Sequence, residues 1–530
     1  MNRNKMYLVA ALVFTLAYMV YFTAFLINAY NTFHDISDLG IAYSNNFYFN
    51  LHYPQIANGL QQMVFGNHVS PFLYLMLPFY MIYESSLTLL FIQMITIAIT
   101  GLLVFFVAKD LTKSSSLALA FCIAFLIFPG TLGSIVFDFH AEYAIMLFFI
   151  LTFYFYMKEK FLSFIISVIF LVCVMETTPL LALFLGLGLI AYEIKYNRKG
   201  KALIQRERLK YLISIIVIAI AAQAFYHVVM AQLAQAYSTS QYAGLPGEQI
   251  ASGGTGQFIL PTLMQWISNP IAQASVTYNI YANGLQPYLI YALIMVLLGM
   301  GIALFALPDV TLIWILPWLA GVFVFAYPGF IVPESQYFTY VDGAVICASI
   351  LGATLLLNKR GDIHFRRIIK RIVDEKEINK FLTFTTLGVS VLVSIAGPAA
   401  YLLIATPLSQ YHLVNSSTFS ELVLFQQTPA QKTAYAQLDW VINKIPKNAS
   451  LIVNNYISPH VSNRKYLEDF QEHWYWEQPQ YMLIDMNKNI SISICALDNC
   501  TMINDMINGG NYTLYIQNGT AMLYRLKNIT

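Results

Sequence analysis

The sequence predicts an α-helical polytopic membrane protein of about eleven spans with a small C-terminal α/β domain. Three observations predict it. Of 530 residues, 58% are hydrophobic and only 11% charged, whereas a soluble protein carries roughly 25% charged residues. So apolar a chain cannot clothe a water-facing surface. The positive charges fall in a few blocks, and Asn-X-Ser/Thr triplets are confined to the C-terminal part of the chain.

A helix needs roughly 20 apolar residues to cross the hydrocarbon core. Segments of that character run over 6–29, 86–108, 115–135, 142–157, 161–176, 178–194, 211–233, 287–307, 310–330, 340–357 and 381–406. The fourth to sixth are short. The first is too long for the apolar core of a signal peptide, and no small-residue cleavage site follows it, so it is expected to remain as a span. Residues 71–83 are apolar but short and broken by proline, which suits an interfacial or re-entrant helix on the outer side. Residues 1–406 thus form a transmembrane domain with two long polar loops, 30–85 and 234–286.

Positive charge sets the expected orientation. Lys109 and Lys113 follow the second span, Lys158 and Lys160 the fourth, and seven Lys and Arg of 195–210 the sixth. Eight more, in 359–380, follow the tenth. With Arg3 and Lys5, all of these fall on one side. The opposite loops 30–85, 136–141, 234–286 and 331–339 contain no Lys or Arg. By the positive-inside rule the N-terminus is cytoplasmic, and an odd number of spans puts 407–530 outside a plasma membrane. The sequons Asn415, Asn448, Asn489, Asn499, Asn511, Asn518 and Asn528 agree, because such acceptors are glycosylated on the external or lumenal side.

Within 407–530, residues 451–453 and 481–484 have the pattern of buried strands. Residues 513–517 and 521–525 flank Asn518-Gly519, a hairpin signal. Cys495 and Cys500 can pair if this domain is outside. Cys122, Cys173 and Cys347 lie in apolar segments as core residues. No nucleotide-binding glycine pattern or zinc-finger spacing occurs, and nothing points to nucleic acid.

Topology sorts the candidate site residues. The outer ends of the spans carry His34, Asp35 and Asp38 in FHDISDLG, His52, His68 in GNHVSP, Asp138, His140 and Glu142 in FDFHAE, Glu176 in METTP, and Glu334 and Gln336 in PESQYF. Ionisable groups at membrane depth are expensive and are usually retained for function. Asp138-X-His140-X-Glu142, with Asp38 or Glu176, has the ligand types for a divalent cation such as Mg, Mn or Ca. The competing reading is that each residue caps a helix end or hydrogen-bonds among lipid headgroups.

These motifs, in this order, resemble the predicted membrane proteins of domain-of-unknown-function family 2079. The resemblance rests on SDLG at 37–40, HVSPFLYLMLPFY at 68–80, FDFHAE at 137–142, METTP at 175–179, IPKNASLIVNNYISPHVSNR at 445–464 and QYMLIDM at 480–486. The chain departs from the family pattern at Ser44, where a Gln is usual, and at Met175 and Thr177, which stand where Lys and Asp are common. The family is similar in layout to the C-type multi-spanning glycosyltransferases, which use a lipid-phosphate sugar donor and an acid in the first external loop. That resemblance implies a GT-C-like fold, a polyprenyl-phosphate-sugar donor, and Asp38, with Asp35 beside it, as the catalytic acid or base. With such a donor, His68, Glu176, Glu334 and Gln336 are expected to bind it, and Asp138, His140 and Glu142 to hold a cation or order the donor phosphate. Asp38 is open to either role, base or cation ligand. Two other classes compete: a lipid or solute transporter, which needs ionisable residues inside several spans, and a structural protein displaying a glycosylated domain.

Overall fold

The computed structural model describes all residues except 1–2, 35–37, 54–63, 66–67, 198–203, 240–263, 283–285, 326–327, 332–335, 404–419, 422, 471–478, 487–508 and 528–530. Asp35, Glu334, Cys495, Cys500, Asn415, Asn489, Asn499 and Asn528, and much of the loop 234–286, lie outside the described residues.

Helix α1 spans Arg3–Asn31, and a π-helical segment Asp38–Asn45 runs into α2, Asn46–His52. A two-residue ribbon pairs β1, Val64–Phe65, with β2, His68–Val69. After a 3₁₀ stretch at Pro71–Met76 come α3 (Ser86–Thr112), α4 (Ser115–Leu126), α5 (Pro129–Val136), α6 (Tyr143–Met157), α7 (Phe161–Cys173), α8 (Thr178–Lys195) and α9 (Arg206–Thr239). Then follow α10 (Pro270–Ala282), α11 (Gln286–Leu298), α12 (Pro308–Phe323), α13 (Thr339–Leu357), α14 (Ile363–Ile372) and α15 (Ile378–Leu403).

Among the described residues, six helices are long and apolar enough to cross a membrane, and up to eight if each of two bent pairs counts as one span. The pairs are α4 with α5, bent by 41°, and α10 with α11. The segments expected at 142–157, 161–176 and 310–330 are helices of 15, 13 and 16 residues. Their apolar character is as expected, but local breaks shorten them. Proline opens α12, α6 stops at the Lys158-Glu159-Lys160 turn, where Glu159 has φ +55°, and α7 stops at METTP. A 13-residue helix rises only about 20 Å, so its polar ends draw inward.

Helix α13 is the centre of the bundle: 89% of its apolar window is buried, against 28% for α1. Small residues let its neighbours approach. A Cβ on Gly352 would lie 2.0 Å from the Ala303 carbonyl oxygen, and one on Gly343 would touch Phe149 at 3.0 Å. Helices α6 and α12 and the turn at Ile302–Ala306 pack on it.

The C-terminal region is a five-stranded sheet of order β4-β3-β5-β7-β6. Its strands are β3 (Leu451–Val453), β4 (Leu467–Asp469), β5 (Tyr481–Asp485), β6 (Tyr512–Asn518) and β7 (Ala521–Leu526). β3 runs parallel to β4 and β5, while β7 is antiparallel to β5 and β6. The hairpin expected at Asn518-Gly519 forms one residue later. Asn518 pairs with Ala521, and Gly519, at φ +59°, opens the two-residue turn. Helix α16, Pro429–Ile442, starts at a Thr428–Gln431 capping box and covers β6 and β7. Phe33, from the end of α1, is 3% exposed within this region's core beside Tyr435, Leu438 and Leu523.

Candidate functional site

The site is built on α3. Gln93, 1% exposed in an apolar helix, donates to the Ser134 carbonyl at 2.6 Å and the Asp138 carbonyl at 3.1 Å, and accepts from the His140 amide at 3.3 Å. One buried amide therefore ties down the FDFHAE loop. Asp138 in turn accepts from the Leu39 amide at 3.0 Å and from the Phe139 amide. Its carboxylate thus clamps the start of the π-helical segment to the bundle, which leaves Asp38 beside His140. The His140 Nε2 to Asp38 Oδ2 distance is 3.3 Å, with the Asp38 side chain 39% exposed and that of His140 8%. The pair is graded: Asp38 meets solvent, while His140 is enclosed by Tyr43 and Phe137. His140 Nδ1 has no hydrogen-bond partner.

Glu142 is fully buried, and neither carboxylate oxygen has a hydrogen-bond partner. It occupies the N-cap position of α6, where the helix dipole favours negative charge. Two tyrosines stand within its field. Tyr43 also feels Asp38 and Asp138; burial first, then Glu142 and Asp38, hold its phenol well above its ordinary range, so it stays a neutral hydrogen-bonding group. Tyr340, at the start of α13, interacts electrostatically with Glu142 and Glu176 and hydrogen-bonds the Thr177 hydroxyl at 2.6 Å. Glu176, fully buried, accepts from the Val69 amide at 3.1 Å, and Ser70 donates to the Val174 carbonyl. His68 precedes Val69 in β2.

The structure therefore brings together Asp38, Asp138, His140, Glu142 and Glu176, and His68 adjoins Val69, whose amide bonds Glu176. Two other expected residues sit apart: His34 pairs with Glu421 at 3.8 Å, and His52 with Glu84 at 2.9 Å. Gln336 begins a 3₁₀ turn leading into α13. Of the set expected to hold a cation, Glu142 has no hydrogen-bond partner at either carboxylate oxygen. Asp138 faces two amides and His140 faces Asp38, and among the described residues no three His, Cys, Asp or Glu stand together as metal ligands. Gln93, Tyr43, Tyr340 and Asp342 escaped the sequence reading. A lone amide or acid inside an apolar run was the available signal for Gln93 and Asp342. Nothing in sequence distinguishes Tyr43 or Tyr340 from the chain's other tyrosines.

The C-terminal region closes over the same segment. A Cβ on Gly40 would lie 2.1 Å from Ser458 Oγ and 2.5 Å from the Pro459 nitrogen. Ser44 Oγ meets Ser462 Oγ at 2.9 Å, and Asn45 donates to the carbonyls of Ser462 at 2.6 Å and Arg464 at 2.8 Å. Tyr80 donates to Asn463 Oδ1 at 3.0 Å, and Ser86 to the Pro459 carbonyl at 2.9 Å. His460 Nε2 lies 2.9 Å from the Tyr30 carbonyl, its ring against Tyr30 and Phe33. Arg464 is 6% exposed and donates to the Val461 and Ala449 carbonyls; burial brings its guanidinium down to about 10. Lys465 stands over Tyr53, just past α2. Arg464 and Lys465, the basic residues beside this segment, thus belong to the C-terminal region.

Comparison with the curated proteins gave no match. Residues 40–521, running from the glycine that meets Ser458 to the last strand of the sheet, match the family model described as Predicted membrane protein (DUF2079), and the chain belongs to that family.

Proposed function

We propose that this protein transfers a sugar from a polyprenyl-phosphate donor to a hydroxyl acceptor at the outer leaflet, on a GT-C-like arrangement of eleven spans. The basic loops 195–210 and 359–380 are then cytoplasmic, and 407–530 is external and glycosylated. The observation that carries the reading is the graded pair: a half-exposed Asp38 carboxylate held by a buried imidazole. In the transfer, the acceptor oxygen attacks the anomeric carbon, the bond from that carbon to the phosphate oxygen breaks, and the lipid phosphate leaves with the electron pair. Asp38 takes the hydroxyl proton, while His140, donating from Nε2, orients the carboxylate. Tyr43 and the amide-bound Asp138 fix the geometry. No step is routed through a cation.

The test is purified protein in vesicles with a polyprenyl-phosphate hexose or pentose. Asp38→Asn is expected to lower transfer by about 10²–10⁴-fold without changing the melting temperature. Full transfer in that variant overturns the reading.

One observation favours a transport reading instead. Asp342 lies in α13, fully buried, with Oδ1 unpartnered and Oδ2 3.4 Å from the Thr131 hydroxyl, next to the break between α4 and α5. Acids at helix breaks are typical of ion-coupled carriers. Ion or proton flux through vesicles that is lost in Asp342→Asn, with no sugar transfer, would select this alternative.

A further inference from the structure

We infer that the C-terminal region is a working part of the site: its turn at Ser458–Arg464 holds the π-helical segment so that Asp38 meets His140. The backbone around Asp38 is gripped from two directions. From the bundle, Asp138 binds the Leu39 amide. From the C-terminal region, Ser458 and Pro459 sit against Gly40 so closely that no side chain fits between them. Further along the segment, Asn45 donates to two consecutive-turn carbonyls, those of Ser462 and Arg464. Gly40 does not adopt a positive φ, so the reason for glycine here is close approach, not backbone conformation. A π-helix is rare and appears mostly as a single turn within an α-helix. An eight-residue example is therefore kept by its surroundings, and here much of the surroundings is the C-terminal region. Gly40, Asn45 and Ser462 are positioning residues, since none of them touches the reacting atoms.

Only the activity arm of the test rests on the sugar-transfer reading. The full chain in lipid nanodiscs is compared with Gly40→Val and Asn45→Ala. Amide exchange of residues 38–45 should quicken about tenfold or more, while the 512–526 hairpin keeps its protection and so reports that the C-terminal sheet remains folded. The ¹⁵N signal of the His140 imidazole, assigned by its loss in His140→Asn, should move toward its position in Asp38→Asn, where the carboxylate is gone. In the transfer assay kcat should fall about 10²-fold with KM little changed, as expected for misplacement of a group by an ångström. An unchanged His140 signal in Gly40→Val, with 38–45 exchanging freely, overturns the inference. So does unchanged protection of 38–45 in both variants. A wild-type protein that transfers no sugar removes the transfer reading, and the exchange and imidazole measurements still decide this one.

Discussion

The two ends of the helix bundle treat buried charge in opposite ways. At the end bearing the basic loops, Arg208 is 8% exposed and Glu193 1%. Glu193 accepts from the Tyr156 hydroxyl at 2.8 Å and from Asn197 at both oxygens. Arg208 bonds the Tyr156 carbonyl, pairs with Glu159 at 2.8 Å, comes within 4.0 Å of Glu193 and lies over the Tyr156 ring. At the other end, Glu142 is as deeply buried, yet among the described residues neither of its carboxylate oxygens has a hydrogen-bond partner. A compensated network fastens helices together; an uncompensated carboxylate stores a cost that only a function gives reason to keep. One end reads as a fastener, and the other is where the proposed function places its site.

Breaking the fastener should have the largest effect on stability. Arg208→Ala leaves Glu193 without its cation and is expected to destabilise the folded protein by about 3–5 kcal/mol, read as a fall in melting temperature in detergent. Activity per folded molecule should be unchanged, and a stable variant would erase the contrast. Gln93→Leu removes three hydrogen bonds from the FDFHAE loop and leaves their partners buried. It should cost about 2–3 kcal/mol and should also abolish transfer, because His140 loses its anchor. Glu142→Gln should sharpen the contrast: replacing a buried, unpartnered carboxylate by a neutral amide relieves the cost of burying it, so stability should hold or rise, while transfer, on the proposed reading, falls. A large loss of stability in that variant would show Glu142 to be a fastener too.

The smallest expected effect is on pH. Burial holds His460 down to about 4, below its ordinary value of about 6.5. The docked state therefore needs the neutral ring, and the detached state binds more protons between those two values. Docking of the C-terminal region should be fullest above about pH 6.5, weaken as the pH falls toward 4, and change no further below. The ring faces Tyr30 and Phe33 of the α1 end, and Phe33 in turn contacts Tyr435 of α16, which hydrogen-bonds Glu421. Burial raises Glu421 above its usual value, so Glu421 takes up its proton more readily when docked and offsets part of the loss. Limited proteolysis across this range, compared with His460→Gln, measures the slope. A wild type as flat as the variant would remove His460 from the docking.

Much of the candidate site was legible because it is chemically conspicuous. Asp38, Asp138, His140, Glu142 and Glu176 are ionisable residues punctuating apolar helices, and their loops lack any Lys or Arg. What each does was not legible. Asp138 and His140 look alike as ligands in FDFHAE, yet one binds amides and the other a carboxylate. The partner of Asp138 is Leu39, 99 residues away, and no local pattern encodes such a contact. The same holds for Asn45 and Ser462, which lie 417 residues apart.

By itself the sequence determined that the chain is a helical membrane protein, where its apolar segments lie, and that a hairpin turns within a residue of Asn518-Gly519. These follow from composition, from runs of apolar residues and from the conformational freedom of single residues, all properties of neighbouring positions. Only the tertiary structure decided how many helices are long enough to cross, that Phe33 plugs into the C-terminal core, and that Gly40 lies under Ser458. Helix ends and docking surfaces are set by competition among contacts distant in sequence. The strength of those contacts depends on burial, and burial exists only once the chain has packed.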